Sequence, residues 1–279
     1  MAHERAAHAS SNKPLLRAEA LVKRYPATRG SGARQEVTAL NSISFSIYPG
    51  KTLAVVGESG SGKSTLALCA SCAEKPTSGK LWLEETEVTS LTDAELRAFR
   101  PRVQLIFQNP ASAMNPRWSA EDIVAEPLLI ADTARKARIG RAHELLERVG
   151  LSAADGPRSL SEFSGGQRQR LAIARALTLE PKLLILDEAL SALDNSIAAQ
   201  IVNLLLDLQE ANGTAYLFIT HDLTLAAHFA DEIAVIERGV IIEQGPTAQI
   251  VRTPRDERTR ALLNAMPALD STRAAQRRS

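Results

Sequence analysis

One stretch constrains this chain more than any other. Lys51 to Val56 has the pattern of a buried strand, and it runs straight into Gly57-Glu58-Ser59-Gly60-Ser61-Gly62-Lys63-Ser64 and then a helix starting near Lys63. The octet satisfies G-x-x-x-x-G-K-[ST] and sits between strand and helix, the context that gives this spacing its meaning. Glycines let the backbone wrap an anion closely, and the N–H groups together with the helix N-terminus supply positive potential. In such a loop Lys63 reaches the β- and γ-phosphates of a nucleotide, and the Ser64 hydroxyl ligates Mg²⁺. A glycine-rich turn alone would mean little, but the Lys-Ser pair with these flanks makes it a phosphate site.

The remaining pattern supplies a scaffold for that loop. Leu15 to Tyr25 and Val37 to Tyr48 read as antiparallel strands, separated by a Gly-, Arg- and Ser-rich loop from Ala27 to Glu36. Val103 to Phe107 is another short apolar strand. From about Asn109 to Leu179 the chain changes to Ala/Leu repeats with charged faces, which read as helical. The apolar strand Lys182 to Asp187 follows, then a helix (Ile197 to Asn212), a strand (Ala215 to Thr220), a short helix (Leu223 to Phe229) and strands Ile233 to Glu237 and Val240 to Gln244. Apolar strands alternating with helices imply a parallel sheet covered on both faces, with a helical lobe inserted between its strands.

Several function classes recede on composition. With 279 residues, 44% of them hydrophobic, the chain can bury one large domain with an inserted lobe. A formal net charge of +1 gives no field that would favour nucleic acid or an anionic membrane. The polar start (Met1 to Lys13) and the basic end (Arg273 to Ser279) read as solvated, frayed termini. Two cysteines, Cys69 and Cys72, sit inside the expected helix after the phosphate loop and read as small apolar residues, since no second cluster completes a zinc site. No apolar run approaches the roughly 18 to 20 residues needed to span a bilayer, and no signal-peptide core is present, so a cytoplasmic location is expected.

Asp187 and Glu188 end the apolar strand. Adjacent strand residues point oppositely, but at a strand end the chain can turn and bring both acids to one site. Asp187 then suits Mg²⁺, and Glu188 suits a base that orients an attacking water. Paired acids after a strand are often only a helix cap; the upstream phosphate loop favours the chemical reading. Phe163-Ser164-Gly165-Gly166-Gln167 precedes a helix expected from Arg168 to Leu179 and forms a second anion-binding helix end with no obvious anion of its own.

At these residues the chain resembles the ABC ATPase family, from about Leu15 to Gly245. Ser164, Gly165, Gly166 and Gln167 match the family's signature motif, with Phe163 in place of the commoner Leu. The resemblance implies an α/β fold: a P-loop NTPase core with an antiparallel β subdomain and an inserted α-helical subdomain. It also implies ATP with Mg²⁺, and two subunits packed head to tail, each ATP lying between one P-loop and the partner's signature. Gln108 resembles the Q-loop glutamine, Ser191 to Asp194 the D-loop, and His221 the switch histidine that contacts the γ-phosphate. Tyr25, at the end of its strand, resembles the aromatic that stacks on adenine, a role for which Phe would serve as well.

The implied ATP contacts are Tyr25, Gly57, Ser59, Gly60, Ser61, Gly62, Lys63, Ser64, Thr65 and Gln108. Glu188, His221 and Lys63 are implied in catalysis; Ser64, Gln108 and Asp187 at the metal; Ser191 and Asp194 at the dimer interface. The family commonly has Pro after its catalytic Glu, where this chain has Ala189-Leu190.

Within the family the sequence is similar to the ATPases of dipeptide, oligopeptide and nickel importers. The residues that carry this are Phe107-Gln108-Asn109-Pro110, Met114-Asn115-Pro116-Arg117 and Glu162 to Arg170, with Thr253-Pro254 and Thr259 to Pro267 near the end. Asp256-Glu257-Arg258 replaces that subgroup's usual His-Pro-Tyr, and the cysteine cluster of some relatives is absent, so no iron–sulfur centre is expected. The implied organisation is a flexible segment over 1–13, an ATPase domain over 14–250 with its helical lobe at about 109–179, and an importer-type extension over 251–279.

The implied partners are a second ATPase subunit (a different chain, or a second copy), two membrane permeases and, indirectly, an extracytoplasmic solute-binding protein, with the chain peripheral on the cytoplasmic membrane face. No nucleic acid is expected. Peptide import is the main expectation, with nickel or another small solute as the alternative. A soluble ABC ATPase acting on DNA or ribosomes would call for a coiled-coil insertion, fused cassettes or a basic stripe. A subunit that never hydrolyses would not call for Glu188 and His221.

Overall fold

Short apolar runs bounded by turns become strands buried on both faces, and their order decides where the loops meet. The computed structural model describes residues 13–28, 34–131 and 133–264. The terminal segments 1–12 and 265–279, and with them nearly all of the expected frayed ends and Ala265 to Pro267, lie outside the described residues, as do residues 29–33 of the expected loop over 27–36.

Strand β1 (Leu16–Thr28) pairs antiparallel with β2 (Arg34–Ile47), so both strands reach further into the connecting segment than their alternation suggests. Then come β3 (Thr52–Val56) and α1 (Lys63–Ala70). Two strands not expected from the sequence follow, β4 (Ser78–Leu83) and β5 (Thr86–Glu87), with a one-turn helix α2 (Asp93–Leu96) after them. They complete a sheet of order β2-β1-β4-β5. Gly79 of β4 passes so close to a bulge in β1 that a Cβ would lie 2.3 Å from the Ala20 carbonyl oxygen. Such a glycine weakens the strand signal in sequence while permitting the contact.

After β6 (Val103–Ile106) the chain forms α3 (Ala120–Ile130), α4 (Arg135–Arg148) and α5 (Gly165–Leu177). It returns through β7 (Leu183–Asp187), α6 (Asn195–Asn212), β8 (Ala215–Thr220) and α7 (Leu223–Phe229). β9 (Glu232–Glu237) and β10 (Val240–Pro246) close a sheet of order β10-β9-β3-β8-β7-β6, parallel except for the β9–β10 hairpin. Two helices end the described chain, α8 (Thr247–Arg252) and α9 (Glu257–Asn264). The chain therefore has a mixed α/β architecture, an antiparallel sheet beside a mostly parallel one, as expected.

Residues of the central strands alternate between two cores, as the two-residue strand period requires. Ala54, Val56, Leu184, Leu186, Tyr216 and Phe218 face α3 to α7, and that one core runs on into the inserted helices. Leu53, Val55, Leu183, Ile185, Leu217 and Ile219 face α1 and the antiparallel sheet. β3, β7 and β8 are buried throughout, which is why they read as continuous apolar runs.

Two expectations need correction. Helix α1 stops at Ala70, so Cys72 lies beyond it with φ of +58°, and only Cys69 is helical. Both thiols are shielded, and burial pushes Cys69 up to about 12 and Cys72 up to about 11, consistent with inert packing residues. The helix placed at Arg168 to Leu179 begins three residues earlier, at Gly165, because Ser164 caps it; it ends at Leu177.

Phe218 is almost fully buried and stacks edge-on against Phe229, centroids 5.2 Å apart. Phe218→Ala should lower stability by about 3–5 kcal/mol, the cost of a large buried cavity, read as the shift in a urea unfolding curve.

Candidate functional site

The phosphate loop leaves β3 at its carboxyl end, and the packing around it selects glycine. A Cβ on Gly57 would fall 2.2 Å from the Ile236 carbonyl oxygen of β9. Gly62 has φ of +106°, and a Cβ there would meet the Ala39 carbonyl oxygen at 2.4 Å. Gly62 is also the N-cap of α1 and offers no side chain to its first N–H groups, which suits an end that receives an external anion.

Lys63 is buried, and its ammonium donates to the Gly57 and Glu58 carbonyls at 2.8 Å each. The Ser61 hydroxyl is buried without a partner among the described residues. An orphaned donor beside a buried cation is what a phosphate ligand would satisfy.

Helix α1 brings Ser64 to the end of β7, where its hydroxyl donates to the Asp187 carboxylate at 3.2 Å. Asp187 is buried, and that burial pushes its carboxyl above the usual range, with the Ser64 hydrogen bond opposing the shift. A hydroxyl and a desolvated carboxylate in contact form a hard-oxygen pair suited to Mg²⁺ completed by phosphate oxygens. No cluster of three or more acidic, His or Cys ligands occurs among the described residues.

Glu188 has φ of +46°, a left-handed conformation rare for a side-chain-bearing residue. Its N–H donates to the Ile219 carbonyl (2.9 Å), and its carbonyl accepts from both the N–H and the hydroxyl of Ser191 (3.1 and 2.8 Å). This turn swings the carboxylate to the side where Asp187 lies, as expected for two adjacent acids sharing one site. Around it gather the Gln108 amide, donating to Oε2 at 3.2 Å, His221 Nδ1 at 3.6 Å from Oε2, and the Lys63 ammonium at 3.5 Å from Oε1. Three chain segments thus converge on one carboxylate, all from the carboxyl edge of the parallel sheet.

The signature residues form a separate group. Ser164 and Gln167 make a reciprocal capping box: the Ser164 hydroxyl accepts from the Gln167 N–H at 3.3 Å, and the Gln167 side chain accepts from the Ser164 N–H at 2.9 Å. Gly165 and Gly166 form the first turn of α5 and abut the start of α6. A Cβ on Gly166 would lie 2.6 Å from Ile197 Cγ2, and one on Gly165 3.8 Å from Leu193. Asp194 caps α6, accepting from the Ile197 N–H at 3.0 Å. Ala189 and Leu190, in place of the common Pro, are buried in the core beside α6 and leave this turn regular.

Tyr25 lies inside β1 rather than at its end, because the strand continues to Thr28. Its hydroxyl donates a short hydrogen bond to Glu74, and burial followed by that carboxylate raises the phenol pKa. Glu74, Lys23 and Ile197 drew no attention in the sequence. A Glu in a turn, a Lys on a strand and an Ile on a helix carry no motif, and only the tertiary contacts single them out.

Residues 40–191 match the family model described as ABC transporter. The chain is 46% identical over 261 residues to the dipeptide transport ATP-binding protein DppF of Haemophilus influenzae, covering 92% of this chain and 80% of that protein. It is 44% identical over 262 residues to the oligopeptide transport ATP-binding protein OppD of Mycobacterium tuberculosis, covering 93% of this chain but 43% of that longer protein. Among solved structures, the dimeric ATP-binding cassette MJ0796 in a post-hydrolysis state with ADP and Pi superposes with a TM-score of 0.74 at 29% identity, over 83% of this chain and 98% of the other. The protein cbiO1 of Clostridium perfringens, described as part of the ABC transporter complex cbiONQ, gives a TM-score of 0.75 at 26% identity, over 86% of this chain and 91% of the other.

The Gly166–Ile197 contact yields a prediction. Gly166→Ala should destabilise the chain by about 1–3 kcal/mol through overpacking. Ile197→Ala in the same chain should restore part of that loss, so that urea unfolding shows the double variant more stable than the sum of the single effects.

Proposed function

The chain belongs to the ABC transporter family, and from that premise we propose that it is the ATP-hydrolysing subunit of an importer whose cargo is peptides or a related small solute. It binds and hydrolyses ATP. The observation that supports the site assignment best is the convergence of Lys63, Gln108 and His221 on the Glu188 carboxylate, with Ser64 and Asp187 alongside. On this reading the loop from Gly57 to Ser64 and Thr65 cradles the phosphates, Lys63 places its charge on the β- and γ-oxygens, and Tyr25 stacks on adenine. Glu188 accepts the proton of the attacking water, and His221 and Gln108 hold that carboxylate and the γ-phosphate in register. Ser64, Asp187 and Gln108 would hold Mg²⁺, which when bound neutralises charge on the transferring phosphoryl group.

The peptide assignment rests on the DppF and OppD relatives, which also support permease partners. We place the signature group, Ser164 to Gln167, on the γ-phosphate of a second ATPase subunit's nucleotide, with Ser191 and Asp194 at the interface between subunits. Solute choice then belongs to the permeases and an external binding protein, and this chain sits at the cytoplasmic membrane face. Among the described residues no helix is long and apolar enough to cross a membrane. In this reading residues 14–250 are the ATPase unit, 109–179 its helical lobe and 251–279 an extension.

Glu188→Gln in the assembled transporter should cut phosphate release by on the order of 10²- to 10⁴-fold, the worth of a positioned base, while ATP affinity stays within a few-fold of wild type. Wild-type turnover by this variant would remove Glu188 from the mechanism. Ser164→Arg should leave ATP binding at this chain's own Lys63 site intact and disable hydrolysis at the opposite site, where preorganised donors to the γ-phosphate are lost. Loss of ATP binding by the isolated Ser164→Arg subunit would show the signature acting within its own chain, against the paired-subunit reading.

A further inference from the structure

The turn that follows α1 is fastened to both α1 and β1 more firmly than a surface connection requires. The N–H groups of Ala73 and Glu74 both donate to the Leu68 carbonyl, at 3.0 and 3.1 Å. At the next residue the Lys75 carbonyl accepts from the Lys23 ammonium at 2.8 Å, and Thr77 is bonded to β1 twice, through the Val22 carbonyl (2.7 Å) and the Arg24 N–H (3.0 Å). Glu74 is therefore held in place by backbone contacts on both sides of it.

From that fixed point the Glu74 carboxylate accepts the short hydrogen bond from the Tyr25 hydroxyl, and the Thr65 side chain of α1 lies close enough to influence the same hydroxyl. The Lys23 ammonium completes the group, 3.6 Å from the Glu74 carboxylate and 5.1 Å from the Tyr25 ring centroid. Lys23 neutralises Glu74 and covers one face of the ring, leaving the opposite face uncommitted within this group.

We propose that Glu74 is a positioning residue for nucleotide recognition: it clamps the Tyr25 hydroxyl, with Lys23 over one ring face, so that the other face is presented to adenine already ordered. A free tyrosine would have to lose its rotamer freedom when the base arrives, whereas this one has lost it on folding. The clamp also couples the base to the phosphates, because Thr65 stands two residues after Lys63 on α1. The inference rests on Tyr25 as the adenine-stacking residue. It departs from a simple stack in one respect: the hydroxyl matters, so Phe should not replace Tyr25 silently.

The test measures affinities of Mg-ATP and of Mg-tripolyphosphate, which lacks base and sugar, for the full chain by calorimetry. Tyr25→Ala should weaken ATP about 5- to 100-fold, the span of aromatic–base stacking, and leave tripolyphosphate within about twofold. Glu74→Ala and Tyr25→Phe should each weaken ATP about 3- to 10-fold and spare tripolyphosphate, the fraction of the stack that ordering contributes. Their combination should be no worse than either alone, because both remove one hydrogen bond. Glu74→Gln, which keeps an acceptor oxygen, should recover most of the loss.

Three results would overturn the proposal, each at a different place. If Tyr25→Ala bound ATP as wild type does, the stacking role itself would fall. If Tyr25→Ala lost ATP selectively but Glu74→Ala and Tyr25→Phe did not, the stack would stand and the clamp would fall. Equal losses of ATP and tripolyphosphate in Glu74→Ala would make Glu74 a support of the phosphate loop or the fold.

Discussion

The left-handed turn at Glu188 is the constraint on which the site depends. A strand places neighbouring side chains on opposite faces, so Asp187 and Glu188 could not share a site if β7 simply continued. A φ of +46° on a residue other than glycine costs on the order of 1–3 kcal/mol, and it persists only where the surroundings over-determine it. Here they do: β8 takes the Glu188 N–H through Ile219, and Ser191 takes its carbonyl twice. The same anchors launch the turn that ends at Asp194, so the geometry of the carboxylate and the start of α6 are set by one piece of backbone.

That shared backbone ties the Glu188 site to the Ser164–Gln167 group, although the two lie apart in the chain. The start of α6 carries Ile197, and Ile197 fills the space where a side chain on Gly166 would go. A displacement of the Ser191–Asp194 turn is therefore felt by the first turn of α5, where Ser164 and Gln167 cap each other. Glycine at 166 has two explanations, close approach of backbone N–H groups to a phosphate and close approach of α5 to α6. The second is visible in the chain by itself. The route between the two groups is an ordinary packing contact, short enough to transmit sub-ångström shifts in a core that does not compress.

Much of this was legible in the sequence because the relevant physics is local. The phosphate loop, the fully buried strands β3, β7 and β8, and Asp187-Glu188 at a strand end each follow from neighbours in the chain. What escaped was long-range. β4 and β5 carry few strand signals, since Gly79 weakens the pattern while making the approach to Ala20 possible. Cys72 left its expected helix because α1 ends early in a turn bonded back to Leu68 and Cys69. The first turn of α5 contains two glycines, poor helix formers in isolation, and it forms because the Ser164–Gln167 capping box and Ile197 hold it. Glu74 was invisible for the same reason: its partners, Tyr25 and Lys23, lie about fifty residues away along the chain.

Lys63 shows why these elements must be assembled together. An ammonium this deeply buried would be costly if left unpaired. The loop's own carbonyls, Gly57 and Glu58, take two of its protons, and Glu188 supplies the nearest countercharge at 3.5 Å. Glu188 reaches that distance through its left-handed backbone, and Gly57 offers its carbonyl from a position so close to β9 that only glycine fits. The cation that would hold the phosphates and the base that would activate water thus restrain each other through one ion pair. An arriving phosphate would compete with Glu188 for Lys63. Were the ammonium to turn to the phosphate, the carboxylate would keep the Gln108 and His221 partners it already has. On the proposed roles, the strained turn at Glu188 would serve nucleotide binding and water activation with a single backbone conformation, and its anchors at Ile219 and Ser191 would then matter as much as the charged groups they aim.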